Sequence, residues 1–178
     1  MTNVFISGGC KSGKSYHAQI LAKNKQQKNL PLYYLATMFP QDNEDQQRIK
    51  KHQQDRIGWG FETIEVSKNI LSVLDTCNAN GTFLLDSVTS LLANEMFSEQ
   101  GTIVDHAPEK LGHELVLLAG RLKNIVFVSD FIYSDSDFYN TSTEEFRKGL
   151  AFIDRKLAGI CETVLEMSCG IVIAHKVE

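Results

Sequence analysis

A chain of 178 residues, 43% of them apolar, is long enough to bury a core of its own, and one domain over 1–178 is the simplest organisation. A formal net charge of −4 without any long basic block disfavours a nucleic-acid partner. No run approaches the ~20 apolar residues of a membrane span, no basic-then-apolar leader opens the chain, and Cys10, Cys77, Cys161 and Cys169 have neither disulfide-like nor zinc-like spacing, so a cytoplasmic protein is expected.

Residues 3–7 read as a short buried strand, followed at once by Gly8-Gly-Cys-Lys-Ser-Gly-Lys-Ser15. The pattern Gly-x-x-x-x-Gly-Lys-Ser lets the backbone N–H groups of Gly8, Gly9, Cys10, Lys11, Ser12 and Gly13 curl around phosphate oxygens, while Lys14 supplies a cation and Ser15 a hydroxyl for magnesium. Gly8 and Gly13 fit because a side chain would block the backbone's approach. Residues 15–25, with Ala18, Leu21 and Ala22 on one stripe, read as the helix whose N-terminus faces the phosphate. A strand before and a helix after are the setting this motif requires, so GTP or ATP with Mg2+ is the expected ligand.

Apolar runs of strand length recur at 31–37, 61–66, 82–86, 125–129, 163–167 and 171–174, most of them separated by segments of helical period. This order predicts an α/β fold, a mostly parallel sheet with helices on both faces. Only a few residues around Gly170 separate the last two runs, too few for a crossover, so the final strand is expected as an antiparallel hairpin partner at one end. Ser67 is expected to cap a helix over 68–76, Pro108 to open one reaching about Leu122, and Thr141-Ser-Thr-Glu144 to form a capping box opening a long helix to about Cys161. Residues 98–107 read as a loop excursion.

Asp86 ends a buried strand at the edge where open parallel sheets bind ligands. Beside a phosphate loop such a carboxylate is placed to hold magnesium directly or through water; the alternative is an aspartate that caps the next helix. A second cluster is Arg48-Ile-Lys-Lys-His-Gln-Gln-Asp-Arg56, which in a helix puts Arg48, His52 and Arg56 on one face. Cations one turn to either side of an imidazole favour its neutral, nucleophilic form and clamp an anionic phosphate chain. A histidine so placed is suited to attack phosphorus and carry a phosphoryl or nucleotidyl group. On pattern alone, a solvated helix face is the competing reading.

Taken together these stretches resemble the bifunctional adenosylcobinamide kinase / adenosylcobinamide-phosphate guanylyltransferase family of cobalamin nucleotide-loop assembly. The likeness rests on the phosphate loop followed by His17 and Ala18, on Tyr34-Leu-Ala-Thr37, on Arg48-Ile-x-x-His52-x-x-x-Arg56-x-x-Trp59 with Glu62 and Glu65 after it, on Leu85-Asp86-Ser-Val-Thr89-Ser-Leu-Leu-Ala-Asn94, and on 147–156 with Gly170-Ile171. The phosphate loop alone is widespread; its combination with the histidine signature is specific.

The resemblance implies a phosphate-loop domain with a RecA-like sheet and two activities. One phosphorylates the aminopropanol hydroxyl of adenosylcobinamide from a nucleoside triphosphate; the other forms a guanylyl-histidine from GTP and passes GMP to the phosphorylated corrinoid. It implies His52 as the guanylylated residue, Lys14, Ser15 and Asp86 at the phosphates and magnesium, Arg48 and Arg56 near the transferred nucleotide, Thr37 and Glu65 in the nucleotide site, and a homo-oligomer, by family a trimer. One stretch departs from it: where the family carries Asn-Glu-Val-Gly-x-Gly, this chain has Ser129-Asp-Phe-Ile-Tyr-Ser-Asp135, without glycine, and its acid, Asp130, stands behind Asp86 as the candidate acid-base partner of the kinase step. That difference keeps open a kinase without the transferase; a nucleotide-switch module is the reading from a different class.

Overall fold

The computed structural model describes residues 2–40, 42–97 and 102–177. Among these, β1 (Thr2–Gly8), β2 (Leu32–Ala36), β3 (Glu62–Glu65), β4 (Thr82–Asp86), β5 (Asn124–Asp130), β6 (Thr163–Ser168) and β7 (Ile171–Val177) form one sheet in the order β3-β2-β4-β5-β1-β6-β7. Every neighbouring pair is parallel except β6 and β7, the antiparallel hairpin expected from the short connection at Gly170.

The central strands read as unbroken apolar runs because both of their faces are covered. Phe83, Leu85, Ile125 and Phe127 point to a face packed by α4 (Val88–Met96), α5 (Ala107–Arg121) and α6 (Thr141–Ile160). Leu84, Val126 and Val128 point to the other face, where Ala18 and Ala22 of α1 (Lys14–Lys25) meet them. Phe83, Phe127, Leu84 and Leu85 are fully buried, and each such side chain contributes ~1.5–3 kcal/mol relative to exposure. On the outer strand β7, by contrast, Ile171, Ile173 and Val177 are exposed. No helix among the described residues is long and apolar enough to cross a membrane.

Two helix starts differ from expectation. Residues 68–76 are not one helix capped by Ser67. Asn69 adopts a left-handed conformation (φ 52°), its N–H donates to Glu95 Oε1 at 2.8 Å, and a 3-10 turn over Ile70–Ser72 leads into the short α3 (Val73–Thr76). Asparagine tolerates that backbone, and the turn buries Ile70 and Val73. Asn140, not Thr141, caps α6, its Oδ1 accepting from Thr143 N at 2.9 Å, and Glu144 pairs with Arg147 instead of closing a box. Pro108 does sit in the first turn of α5. Of the expected loop at 98–107, residues 98–101 lie outside the described residues, and Ile103 forms a bridge to Phe97.

Parallel strands bring their C-terminal ends to one edge. Gly8 lies opposite Asp130, Asp86 opposite Val128, and Ala36 opposite Asp86. The phosphate loop, Asp86 and Asp130 therefore share one edge of the sheet, where ligands of such folds bind.

Candidate active site

The loop leaving β1 closes on itself before α1 begins. Gly13 is the N-cap of α1 at φ 92°, a conformation that favours glycine. Lys14 is buried; its Nζ donates to Gly9 O at 3.0 Å and forms an ion pair with Asp130. Cys10 and Lys11 are exposed on the loop and Ser15 is half-buried in the first turn of α1. Gly8 has an additional reason to be glycine: a Cβ there would lie 2.5 Å from the backbone carbonyl of Met167 on β6.

Asp86 does not cap α4. Ser87 does, with its Oγ accepting from Ser90 N at 3.2 Å. The Asp86 carboxylate instead accepts from the Tyr34 hydroxyl, Oδ2 at 2.7 Å. Thr37 is fully buried, donating from Oγ1 to Ser87 O at 2.8 Å and accepting from Ser87 N at 2.7 Å. Its side chain thus holds the turn that presents Asp86.

The Arg-His-Arg segment forms α2 (Asn43–Asp55), opened by Asp42, whose Oδ1 accepts from Asp45 N at 2.8 Å. His52 is half-buried in the last turn, and its imidazole makes no hydrogen bond among the described residues. Arg56, the C-cap, is buried with its guanidinium carbon 3.8 Å from the centroid of the Tyr34 ring, and its Nε is without a partner among the described residues. Arg48 lies on the helix, and its side chain is outside the described residues. Phe61 packs edge-on against the Tyr34 ring, and Trp59 packs edge-on against Tyr16 of α1, both with centroids 5.8 Å apart. Burial first, then the Asp86 carboxylate, hold the Tyr34 hydroxyl well above the usual phenol range, so it stays a donor. Glu65 is exposed at the end of β3.

The structure thus joins Lys14 to Asp130, and Asp86 to Arg56 through Tyr34; no hydrogen bond, ion pair or ring contact among the described residues joins His52 to the phosphate loop. The groups at this edge that could serve magnesium are one hydroxyl, Ser15, and one carboxylate, Asp86, with no cluster of three or more acidic, histidine or cysteine ligands among the described residues. A hard cation that keeps most of its waters and shares phosphate oxygens is served by such a sparse set, so the residues fit it.

A family model for cobinamide kinase / cobinamide phosphate guanyltransferase matches residues 4–175. The chain belongs to this family. It is also 31% identical over 99 residues to the bifunctional adenosylcobalamin biosynthesis protein CobU of Escherichia coli (strain K12), a match covering 55% of this chain and 52% of that protein, so the aligned part spans about half the length of the curated relative. Among solved structures the chain resembles the ATPase domain of G40P (TM-score 0.55, 11% identity, 99% of this chain and 77% of that one) and the flagellar accessory protein FlaH of Methanocaldococcus jannaschii (TM-score 0.50, 16% identity, 99% and 79%). These likenesses support the phosphate-loop NTPase-type fold.

Residues 129–135, the stretch without glycine, are fastened from several sides. Phe131 N donates to Gly8 O at 2.9 Å, Asp130 N to Thr89 Oγ1 at 2.9 Å, and buried Arg147 donates to Ile132 O at 3.1 Å and to Asp135 Oδ1 at 2.9 Å. Behind the loop, Asp154 of α6 is buried and accepts from Ser129 Oγ at 3.0 Å and Tyr133 OH at 3.1 Å. Burial pushes its carboxyl up to about 7, against the opposing pull of those two donors. Sequence reasoning assigned no role to Tyr34 or Asp154, and to Asp130 only a place behind Asp86. The signal for Tyr34 was its place in the Tyr-Leu-Ala-Thr stretch, and for Asp130 its position after an apolar run like that of Asp86; Asp154 shows no signal beyond a charge on the apolar stripe of a helix.

Proposed function

We propose that the chain phosphorylates the aminopropanol hydroxyl of adenosylcobinamide and transfers GMP from GTP to the product through a guanylyl-histidine at His52. The observation that carries this reading is the seating of Arg56, one turn beyond His52, on the Tyr34 ring whose hydroxyl holds Asp86 beside the phosphate loop. Family membership over 4–175 supports it.

In the kinase step the γ-phosphoryl group of the triphosphate moves to the substrate hydroxyl. The O–Pγ bond forms as the bond to the β-phosphate oxygen breaks, and the hydroxyl proton passes to a carboxylate, Asp86 first and Asp130 second in order of preference. Backbone N–H groups of 8–13 and the Lys14 ammonium hold the charge that develops on the phosphate oxygens. A phosphate oxygen at Lys14 competes with Asp130 for that cation. Ser15 and Asp86 would hold magnesium, which when bound would supply neutralisation of charge on the phosphate chain.

In the transferase step a neutral His52 nitrogen attacks the α-phosphorus of GTP. The N–P bond forms, the bond to the β-phosphate oxygen breaks, and pyrophosphate leaves with its electrons. A phosphate oxygen of the phosphorylated corrinoid then attacks the same phosphorus, breaking the N–P bond and restoring the histidine. Arg48 and Arg56 are the cations assigned to the transferred nucleotide. The exposed apolar residues of β7 support assembly of this enzyme into a homo-oligomer, by family a trimer.

A second reading, kinase without transferase, is favoured by the glycine-free, tightly fastened 129–135 loop. Incubation with GTP, magnesium and adenosylcobinamide, followed by mass analysis of the corrinoid, separates the two. GDP-cobinamide is the expected product; cobinamide phosphate alone selects the kinase, and unchanged cobinamide with nucleotide bound selects a switch module.

A further inference from the structure

We propose that Tyr34 is a positioning residue that holds both halves of the site at once, fixing the Asp86 carboxylate through its hydroxyl and the Arg56 guanidinium through its ring. The inference rests on the proposed roles of Asp86 and Arg56, and goes beyond them by giving one core side chain the job of setting their relative placement.

Three observations carry it. The Tyr34 side chain lies on the α1 face of the sheet and is buried, so it belongs to the rigid packing of β2 with β4 and has no freedom to follow the groups it touches. Its hydroxyl donates to Oδ2 of Asp86 at 2.7 Å. A charge-assisted bond of that length selects one carboxylate rotamer and leaves Oδ1 for the ligand. The same ring lies 3.8 Å beneath the Arg56 guanidinium carbon, with Phe61 edge-on beside it. A cation desolvated over an aromatic face is held against that face. Arg56 ends α2, so seating it also fixes the last turn of the helix, where His52 stands.

An apolar side chain would serve a strand core as well. A phenol is needed only if both contacts matter, since phenylalanine would retain the ring without the hydroxyl and an aliphatic residue would have neither. Tyr34→Phe and Tyr34→Leu therefore separate the two contacts. Equilibrium GTP binding, titrated with magnesium, reads the Asp86 side without requiring turnover; the rate of covalent labelling by GTP reads the Arg56 and His52 side.

The expected result for Tyr34→Phe is a roughly tenfold rise in the magnesium concentration giving half-maximal GTP binding, as for loss of one bond to a charged group, with the labelling rate recovered at saturating magnesium. Tyr34→Leu is expected to show the same rise and, in addition, a labelling rate that saturating magnesium does not restore. In an Asp86→Asn background, Tyr34→Phe should have no further effect on the magnesium midpoint. An unchanged midpoint in Tyr34→Phe overturns the proposal, and so does an additive effect in the double variant. Should Tyr34→Leu fail to fold, Arg56→Gln, which leaves the ring and hydroxyl in place, takes its part: labelling slowed in a way that saturating magnesium and GTP do not restore is expected, and labelling at the wild-type rate overturns the Arg56 half of the proposal. Wild-type GTP binding that ignores magnesium overturns the reading of Asp86 itself, and the inference falls with it; that arm distinguishes the two failures.

Discussion

The two parts of the proposed site are built in opposite ways. The phosphate loop springs from the centre of the sheet, where β1 lies between β5 and β6, and its lysine is buried against Gly9 and Asp130. Helix α2 carries a polar surface and is tied down at its C-terminal end by Arg56 on Tyr34 of β2 and, just beyond it, by Trp59 on Tyr16 of α1. A phosphate loop anchored on an inner strand presents its backbone donors from a fixed base. A helix tied at its C-terminal end has the turn that carries His52, the proposed nucleophile, fixed beside the sheet.

If that contrast is right, damage to the loop abolishes everything and damage to the helix is selective. Lys14→Ala should lower both activities by about a thousandfold or more, because the missing cation faces charge that develops in each transfer; a variant that keeps either activity near wild type would break the contrast. Thermal and denaturant unfolding sharpen it next. Gly8→Ala should destabilise the fold by about 3 kcal/mol, since the added methyl meets the backbone carbonyl of Met167. Gly9→Ala, whose added methyl would meet no atom within 4 Å, should leave stability unchanged.

The pH dependence of stability tests the loop's other support. Asp154 has a carboxyl raised to about 7 in the folded protein against about 4 in the unfolded chain, so the native state binds the extra proton in between. Its contribution is fully present below about pH 4 and is lost as pH rises through about 7, with a slope of up to ~1.4 kcal/mol per pH unit. Asp154→Asn should flatten that slope; an unaltered slope in the variant would show that another group titrates. The smallest effect is expected at Tyr16→Ala, about 1 kcal/mol or less in stability from the lost ring contact, accompanied by a red shift in emission from Trp59, the chain's sole tryptophan.

How much of this was legible from the chain follows from how local each feature is. The phosphate loop and β4 were readable because glycine pattern and apolar run are contiguous; β4 has the expected bounds, 82–86. The hairpin at Gly170 followed from connection length alone. Helix starts were less legible, because Asn140 and Thr141 are both competent caps and only the backbone decides between them. The Tyr34–Asp86 bond joins residues 52 apart in sequence, and the Ser129–Asp154 bond joins residues 25 apart; such pairs depend on strand order and register, which no single stretch encodes. Asp86 was placed at the ligand edge from its position at a strand end, whereas the partner that orients it could be found only once β2 and β4 were seen side by side.

The most direct test of the central claim is covalent labelling. The protein and its His52→Ala variant are incubated with magnesium and GTP radiolabelled at the α-phosphorus, then denatured and treated with acid or base. The account predicts a label on wild type that is acid-labile, base-stable and absent from His52→Ala, while the variant still binds GTP. A label of equal strength on the variant, or none on a wild type that binds GTP, would contradict it.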